Sequence, residues 1–301
     1  MKKAPINTKV PTPLIITAKV LSFFSDEAAV KFAARLFTTP IRHKLPKREL
    51  HMEENSKVEF IDVHDIGKNI ATYHYGESDR KILLVHGWSG RGTQLFKIAD
   101  ALLSAGYSTV SFDAPAHGKS DGKTTLMPEF VSCIFEIDKK YGPFEVAVGH
   151  SLGGMSLLNA VKRGFKIQRL VTIGSGDVVE DIMSDFINKL KLNTKYTSLM
   201  RQHFERNTDE SMDNYSAYHA AAQVDIPVLV IHDEGDIEVP VTSAENIHKH
   251  LKNGQLMITQ NLGHRKILGN EKVIDKTIEF ITNDTNEITN TASAYLHDNI
   301  L

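Results

Sequence analysis

A short apolar run, Phe144-Glu145-Val146-Ala147-Val148, ends in Gly149-His150-Ser151-Leu152-Gly153-Gly154, and helix-forming residues continue from Leu152 to Ala160. A serine squeezed between a strand and a helix, with glycine two residues to either side, sits on a turn too sharp for bulky neighbours. Gly149 and Gly153 lack Cβ atoms, so the backbone can fold tightly and the helix can press against the strands. The hydroxyl of Ser151 is pushed out beyond the strand end, and the amide of Leu152 opens the helix. This is the G-x-S-x-G nucleophile elbow, in the strand–turn–helix setting that gives the motif meaning. Short motifs also arise by chance, so its weight depends on the rest of the chain.

The flanking sequence alternates strand and helix. Residues 57–64 and 69–76 predict two strands joined by Asp65-Ile66-Gly67, and 81–85 (Lys-Ile-Leu-Leu-Val) is the continuous apolar run of a strand buried on both faces. It ends in His86-Gly87-Trp88-Ser89-Gly90. The glycines let this loop turn back toward the sheet end, so the amide of Trp88 can join that of Leu152 in holding an oxyanion. A helix is expected over 94–104, a strand over 108–113 and a helix over 126–141. Between the last two, Asp113-Ala114-Pro115-Ala116-His117-Gly118-Lys119-Ser120 is expected to be a structured turn that Asp113 and His117 hold. Strands are expected again at 168–175, 226–231 and 255–260, with helices at 241–251 and 271–281. Short apolar strands alternating with helices imply a parallel sheet covered on both faces, with ligands bound beyond the strand carboxyl ends.

Length and composition permit one large α/β domain with additions: 301 residues, 41% hydrophobic, 24% charged. A net charge of −2 gives no global pull toward nucleic acid. The lone Cys133 excludes an intramolecular disulfide and fits a reducing, cytoplasmic compartment. The 14 histidines are scattered and no structural metal is indicated.

Residues 1–47 stand apart as a basic amphipathic arm. Nine Lys/Arg against two acids make it +7, leaving −9 for the remainder. Two helices are expected in it. The first places Leu14, Ala18, Leu21 and Phe24 on one face. The second has Ser25 as N-cap and a stripe of Ala29, Phe32, Ala33, Leu36 and Phe37, with Pro40 as its stop. Two readings of the arm are open: packing on the main domain or a partner copy, and contact with an anionic membrane surface.

Three motifs together resemble the α/β-hydrolase superfamily: His86-Gly87-Trp88, Asp113-x-Pro-x-His117-Gly118-x-Ser120 and Gly149-His150-Ser151-Leu152-Gly153-Gly154. The likeness is to its serine-hydrolase branch, which includes monoacylglycerol lipases, small esterases and proline-type aminopeptidases, and it covers about residues 55–283. It implies an α/β-hydrolase fold: a mostly parallel central sheet with helices on both faces and a helical lid inserted over the active site. The expected division is arm 1–47, core 48–176 and 226–283, lid 177–225 and a polar tail 284–301. In the lid, Met183, Phe186, Ile187 and Leu190, then Leu199, Met200, His203 and Phe204, lie at helical spacing, and some of them are expected to line an acyl pocket.

By the family pattern the triad acid is Asp236, in His232-Asp233-Glu234-Gly235-Asp236-Ile237-Glu238-Val239-Pro240. Asp233 stands where relatives usually carry glycine, which leaves Asp233 and Asp177 as alternatives. The order Ser151, Asp236, His264 is the one this fold uses. His86, Gly87, Gly149, His150 and Gly153 are expected to serve as structural members of the motifs. The expected chemistry is hydrolysis of short to medium acyl esters, without metal, nucleotide or flavin, on a small-molecule substrate. Acyl transfer, thioester or peptide cleavage, a membrane-peripheral lipase and a non-catalytic binding role are its rivals.

Overall fold

The computed structural model describes residues 10–206 and 210–283. The expected tail, 284–301, lies outside them. Eight strands form one sheet: β1 (Ser56–Val63), β2 (Lys68–Tyr75), β3 (Lys81–Val85), β4 (Ser108–Phe112), β5 (Val146–His150), β6 (Arg169–Ile173), β7 (Val228–Asp233) and β8 (Gly254–Thr259). Their order is β1-β2-β4-β3-β5-β6-β7-β8. β1 and β2 pair antiparallel, as do β2 and β4, and every later pair is parallel.

The helices are α1 (Thr12–Phe24), α2 (Asp26–Phe37), α3 (Leu50–Glu54), α4 (Phe96–Ser104), α5 (Met127–Tyr141), α6 (Leu152–Lys162), α7 (Val179–Lys189), α8 (Lys195–Glu205), α9 (Ala217–Ala221), α10 (Val241–His250), α11 (Gly263–Lys266) and α12 (Glu271–Thr282). Strand side chains alternate between two cores. Ile82, Leu84, Val146, Val148, Leu229 and Ile231 meet α4 and α12. Leu83, Val85, Ala147, Val228 and Val230 join the core that α5, α6 and α10 cover. This period-2 division explains why the central strands read as unbroken apolar runs.

All eight expected strands are present, and one boundary matters. The strand expected at 226–231 runs from Val228 to Asp233. Pro227 has no N–H to give a ladder, so regular pairing begins after it. The shift makes Asp233 the last residue of a central strand instead of a loop residue.

Between β6 and β7 the chain inserts α7, α8 and α9, and the amino-terminal hairpin packs on them. Ser25 caps α2 as expected, its Oγ accepting the Ala28 N–H at 3.2 Å. Ala29, Val30, Ala33 and Ala34 are buried, and Phe37 meets Phe186 edge-on with ring centres 5.3 Å apart and lies 6.0 Å from Phe204. Lys195 and Tyr196 bond Asp26, but half-exposed ion pairs add little stability, so apolar burial holds the arm in place. One expectation fails here. Phe24 is 78% exposed, so it does not share the inner face of α1 with Leu14, Ala18 and Leu21. The helix ends at Phe24, and Ser25 is already extended, with φ −159°.

Candidate active site

Ser151 stands between β5 and α6 with φ 52° and ψ −120°, a left-handed conformation that an L-residue holds only under constraint. The constraint is steric. A Cβ on Gly149 would lie 2.6 Å from the Gly153 carbonyl carbon, and one on Gly153 would lie 2.3 Å from the Val85 carbonyl oxygen. Neither position can hold a side chain, so helix and strands meet at backbone contact. The Ser151 N–H donates to the Ile173 carbonyl at 2.8 Å, which ties the elbow to β6.

The loop after β3 lies against this turn: a Cβ on Gly87 would sit 2.9 Å from both His150 Nδ1 and Ser151 Cβ. Two buried imidazoles hold that loop. His86 accepts the Ala114 N–H at Nε2 (3.0 Å), and its Nδ1 lies 2.7 Å from the Gly87 carbonyl. His117 accepts the Ser89 N–H at Nε2 (3.0 Å) and places Nδ1 3.0 Å from the Pro115 carbonyl. In each, Nε2 accepts and Nδ1 donates, which is the neutral Nδ1–H tautomer. Burial pushes His86 down to about 4 and His117 down to about 3, so both stay neutral near pH 7. Asp113 anchors the neighbouring turn as expected, accepting from Gly92 N, Lys119 N and Tyr73 OH at 2.7–2.8 Å. With these bonds made, the Trp88 amide and the helix-opening Leu152 amide have no protein acceptor among the described residues.

His264 is the second residue of the short helix α11. Its Nδ1 lies 2.6 Å from Asp236 Oδ2, with both side chains almost wholly buried. The other carboxylate oxygen, Oδ1, accepts the Glu238 and Val239 N–H groups at 2.8 and 3.0 Å. Burial opposes ionisation of Asp236, but the hydrogen bond and charge of His264 and these two amides outweigh it and hold the carboxyl below its ordinary range. The His264 ring lies just past the carboxyl end of β6: a Cβ on Gly174, one residue past the carbonyl that holds Ser151, would sit 3.3 Å from Nδ1. The His264 carbonyl lies 2.9 Å from His150 Nε2, and the two rings are 4.7 Å apart. Ser151 Oγ makes no hydrogen bond among the described residues. His264 therefore sits beside the elbow without a closed bond to the hydroxyl.

The alternative acids occupy other positions. Asp233, fully buried, accepts from Gly235 N (3.0 Å), Gly263 N (2.8 Å), Leu262 N (3.0 Å) and Thr259 Oγ1 (2.8 Å). Four donors saturate it, and it fixes the loop that delivers His264. Asp177 accepts from Asn246 Nδ2 at 2.7 Å, away from His264. Sequence reasoning missed His232. This buried imidazole places Nε2 3.0 Å from the Val239 carbonyl and 3.5 Å from Asp236 Oδ2. Its i,i+4 spacing to Asp236 carries no signal across a strand end, because that spacing predicts contact only in a helix.

Family models match this chain over the same elements: an alpha/beta hydrolase family model over residues 82–223 and a TAP-like protein model over 202–293. The chain belongs to the α/β-hydrolase superfamily. Among curated relatives of this hydrolase-fold chain, the human serine hydrolase BPHL is 25% identical over 224 residues, covering 64% of this chain and 76% of the relative. A pimeloyl-[acyl-carrier protein] methyl ester esterase of Neisseria meningitidis is 24% identical over 230 residues, covering 63% and 88%. Among solved structures, the Pyrococcus furiosus esterase PF2001 superposes with a TM-score of 0.62 at 18% identity, covering 81% of this chain and 97% of that one. An esterase of Exiguobacterium antarcticum gives 0.60 at 18%, covering 75% and 100%. At such identities the structural likeness speaks for the α/β-hydrolase fold alone.

Proposed function

We propose that this protein is a carboxylic ester hydrolase working through an acyl-enzyme, with Ser151 as nucleophile, His264 as general base and Asp236 as its orienting acid. The observation that carries the reading is the 2.6 Å contact between Asp236 and His264 Nδ1. It commits Nδ1 to the carboxylate and leaves Nε2 as the nitrogen for the serine proton. Transfer requires Nε2 to come within hydrogen-bond reach of Ser151 Oγ, a contact that often tightens only when substrate binds. Ser151 then attacks the ester carbonyl, the free amides of Trp88 and Leu152 receive the developing oxyanion, and His264 returns the proton to the leaving alcohol. Water repeats the cycle to release the acid.

The acyl group of the substrate is taken to be short to medium. Met183, Ile187, Leu190 and Met200, expected as possible pocket walls, are fully buried in the packing of the inserted helices. Ile182 instead turns toward Gly176 beside Met155 of α6, with atoms of the two 3.1 and 3.4 Å from where a Gly176 Cβ would be. With α7–α9 read as a lid over the serine, Ile182, Met155, Leu152 and Trp88 are what an acyl chain would meet. The names of relatives, a serine hydrolase and a methyl ester esterase, agree with a small ester substrate.

Nitrophenyl esters of increasing acyl length test this. Turnover should favour short to medium chains and fall roughly a millionfold in kcat in Ser151→Ala. Equal turnover by the two proteins would refute the assignment.

A further inference from the structure

The outward side of α1 is apolar and uncovered. Ile16, Val20, Phe23 and Phe24 recur at i, i+4, i+7 and i+8 and so share one face. They are 56, 51, 84 and 78% exposed, while Ala18 on the opposite face is fully buried. The two phenylalanines pack edge-on against each other, ring centres 5.1 Å apart. Lys19 borders this strip. The charge of the arm is equally one-sided. Its two acids are engaged within the fold, Asp26 by Lys195 and Tyr196 and Glu27 by Lys31. Among the described residues, Lys19, Arg35, Lys44 and Lys47 have no carboxylate partner. Arg35, Arg42 and Lys123 line a cleft where α2 meets the turn after β4, and no acidic residue lines it.

We propose that α1 seats the protein on an anionic lipid bilayer. Phe23 and Phe24 enter the boundary between headgroups and acyl chains, and the unpaired cations of the arm face lipid phosphates. An apolar helix face beside unneutralised positive charge is complementary to such a surface. Other occupants fit less well. No helix among the described residues is long and apolar enough to cross a membrane. A second copy would bring two +7 arms together. A 13-residue helix, about 20 Å long, also offers far less than the roughly 800 Å² per partner of a stable interface. The chain after α12 leaves from Asn283, whose carbonyl is bonded by Arg169 at the amino end of β6, on the rim away from the arm. The far end of the arm, past α2, reaches the loop that carries the Trp88 amide. The Ile41 N–H at the end of the arm donates to Ser89 Oγ at 3.0 Å, next to the Trp88 amide, and Arg42 donates to the Ala116, Ser120 and Gly122 carbonyls.

The test is sedimentation of the full chain with phosphatidylcholine vesicles, with and without an equal part of phosphatidylglycerol. Wild type should pellet with the anionic vesicles, stay in solution with the neutral ones, and be released by salt. Phe23→Ser/Phe24→Ser should lower the partition about tenfold or more while keeping wild-type melting and turnover of a soluble ester, so loss of binding is separable from loss of fold or chemistry. Wild type remaining in solution with anionic vesicles would overturn the proposal, as would unchanged partition of the double variant. Light scattering that shows a dimer abolished by the same substitutions would overturn it too, in favour of a second copy.

Discussion

The rim of the sheet and the layer above it are held together by different physics. At the rim, polar side chains go fully inside and spend their hydrogen bonds on backbone. Asp113 holds the turn after β4 and Asp233 the loop after β8, each buried and each accepting backbone N–H groups at 2.7–3.0 Å. In the layer built from the arm and the inserted helices, contacts are apolar in the middle and ionic only at exposed edges. A buried acceptor stripped of its partners is expensive, whereas an exposed ion pair is nearly neutral. The rim should therefore be rigid and intolerant, and the layer above it adaptable.

Two aspartates three residues apart give the sharpest contrast. Asp236→Ala should cut kcat about 10⁴-fold, and the two amides it strands should cost about 2 kcal/mol of stability. Asp233→Ala should lower unfolding free energy by about 3 kcal/mol, since it strands three amides and the Thr259 hydroxyl, and reduce activity far less. Denaturant melts beside ester turnover check both. If Asp233→Ala lost activity as Asp236→Ala does with unchanged stability, the two roles would be reversed.

Acid should undo the rim before the layer above it. His86 and His117 titrate near 4 and 3 in the fold against an ordinary 6.5. Below pH 6.5 the unfolded chain therefore binds protons that the folded chain refuses, and stability falls as pH falls. The loss is about 1.4 kcal/mol per pH unit for each such histidine down to its folded value. Melting temperature measured from pH 7 to 5 should fall, and a flat profile would mean that these imidazoles accept protons in place. In the upper layer, Phe37→Ala should cost about 2 kcal/mol in a urea titration with turnover of a soluble ester within a few-fold of wild type. Asp26→Ala should shift the urea midpoint least of all.

This division also explains what the sequence could reveal. The elbow, the strand runs and the glycines of the His86 loop are local features, so Ser151, Trp88, Leu152 and all eight strands could be read from neighbouring residues. Asp236 and His264 needed a family pattern, because nothing near either announces a contact 28 positions away. The work of Asp233 was hidden by a two-residue error in the end of β7, and His232 by a spacing that means contact only in a helix. For the arm, periodicity found two helices but misplaced Phe24. An apolar residue at the end of a helix cannot show from sequence which side the neighbouring layer will cover.

The central claim, a serine made reactive by His264 beside the elbow, is tested most directly by fluorophosphonate labelling followed by peptide mass spectrometry. The account predicts one adduct on Ser151 in wild type, lost in Ser151→Ala and strongly reduced in His264→Ala although that variant remains folded. An adduct elsewhere, or labelling of Ser151 that proceeds as fast without His264, would contradict it.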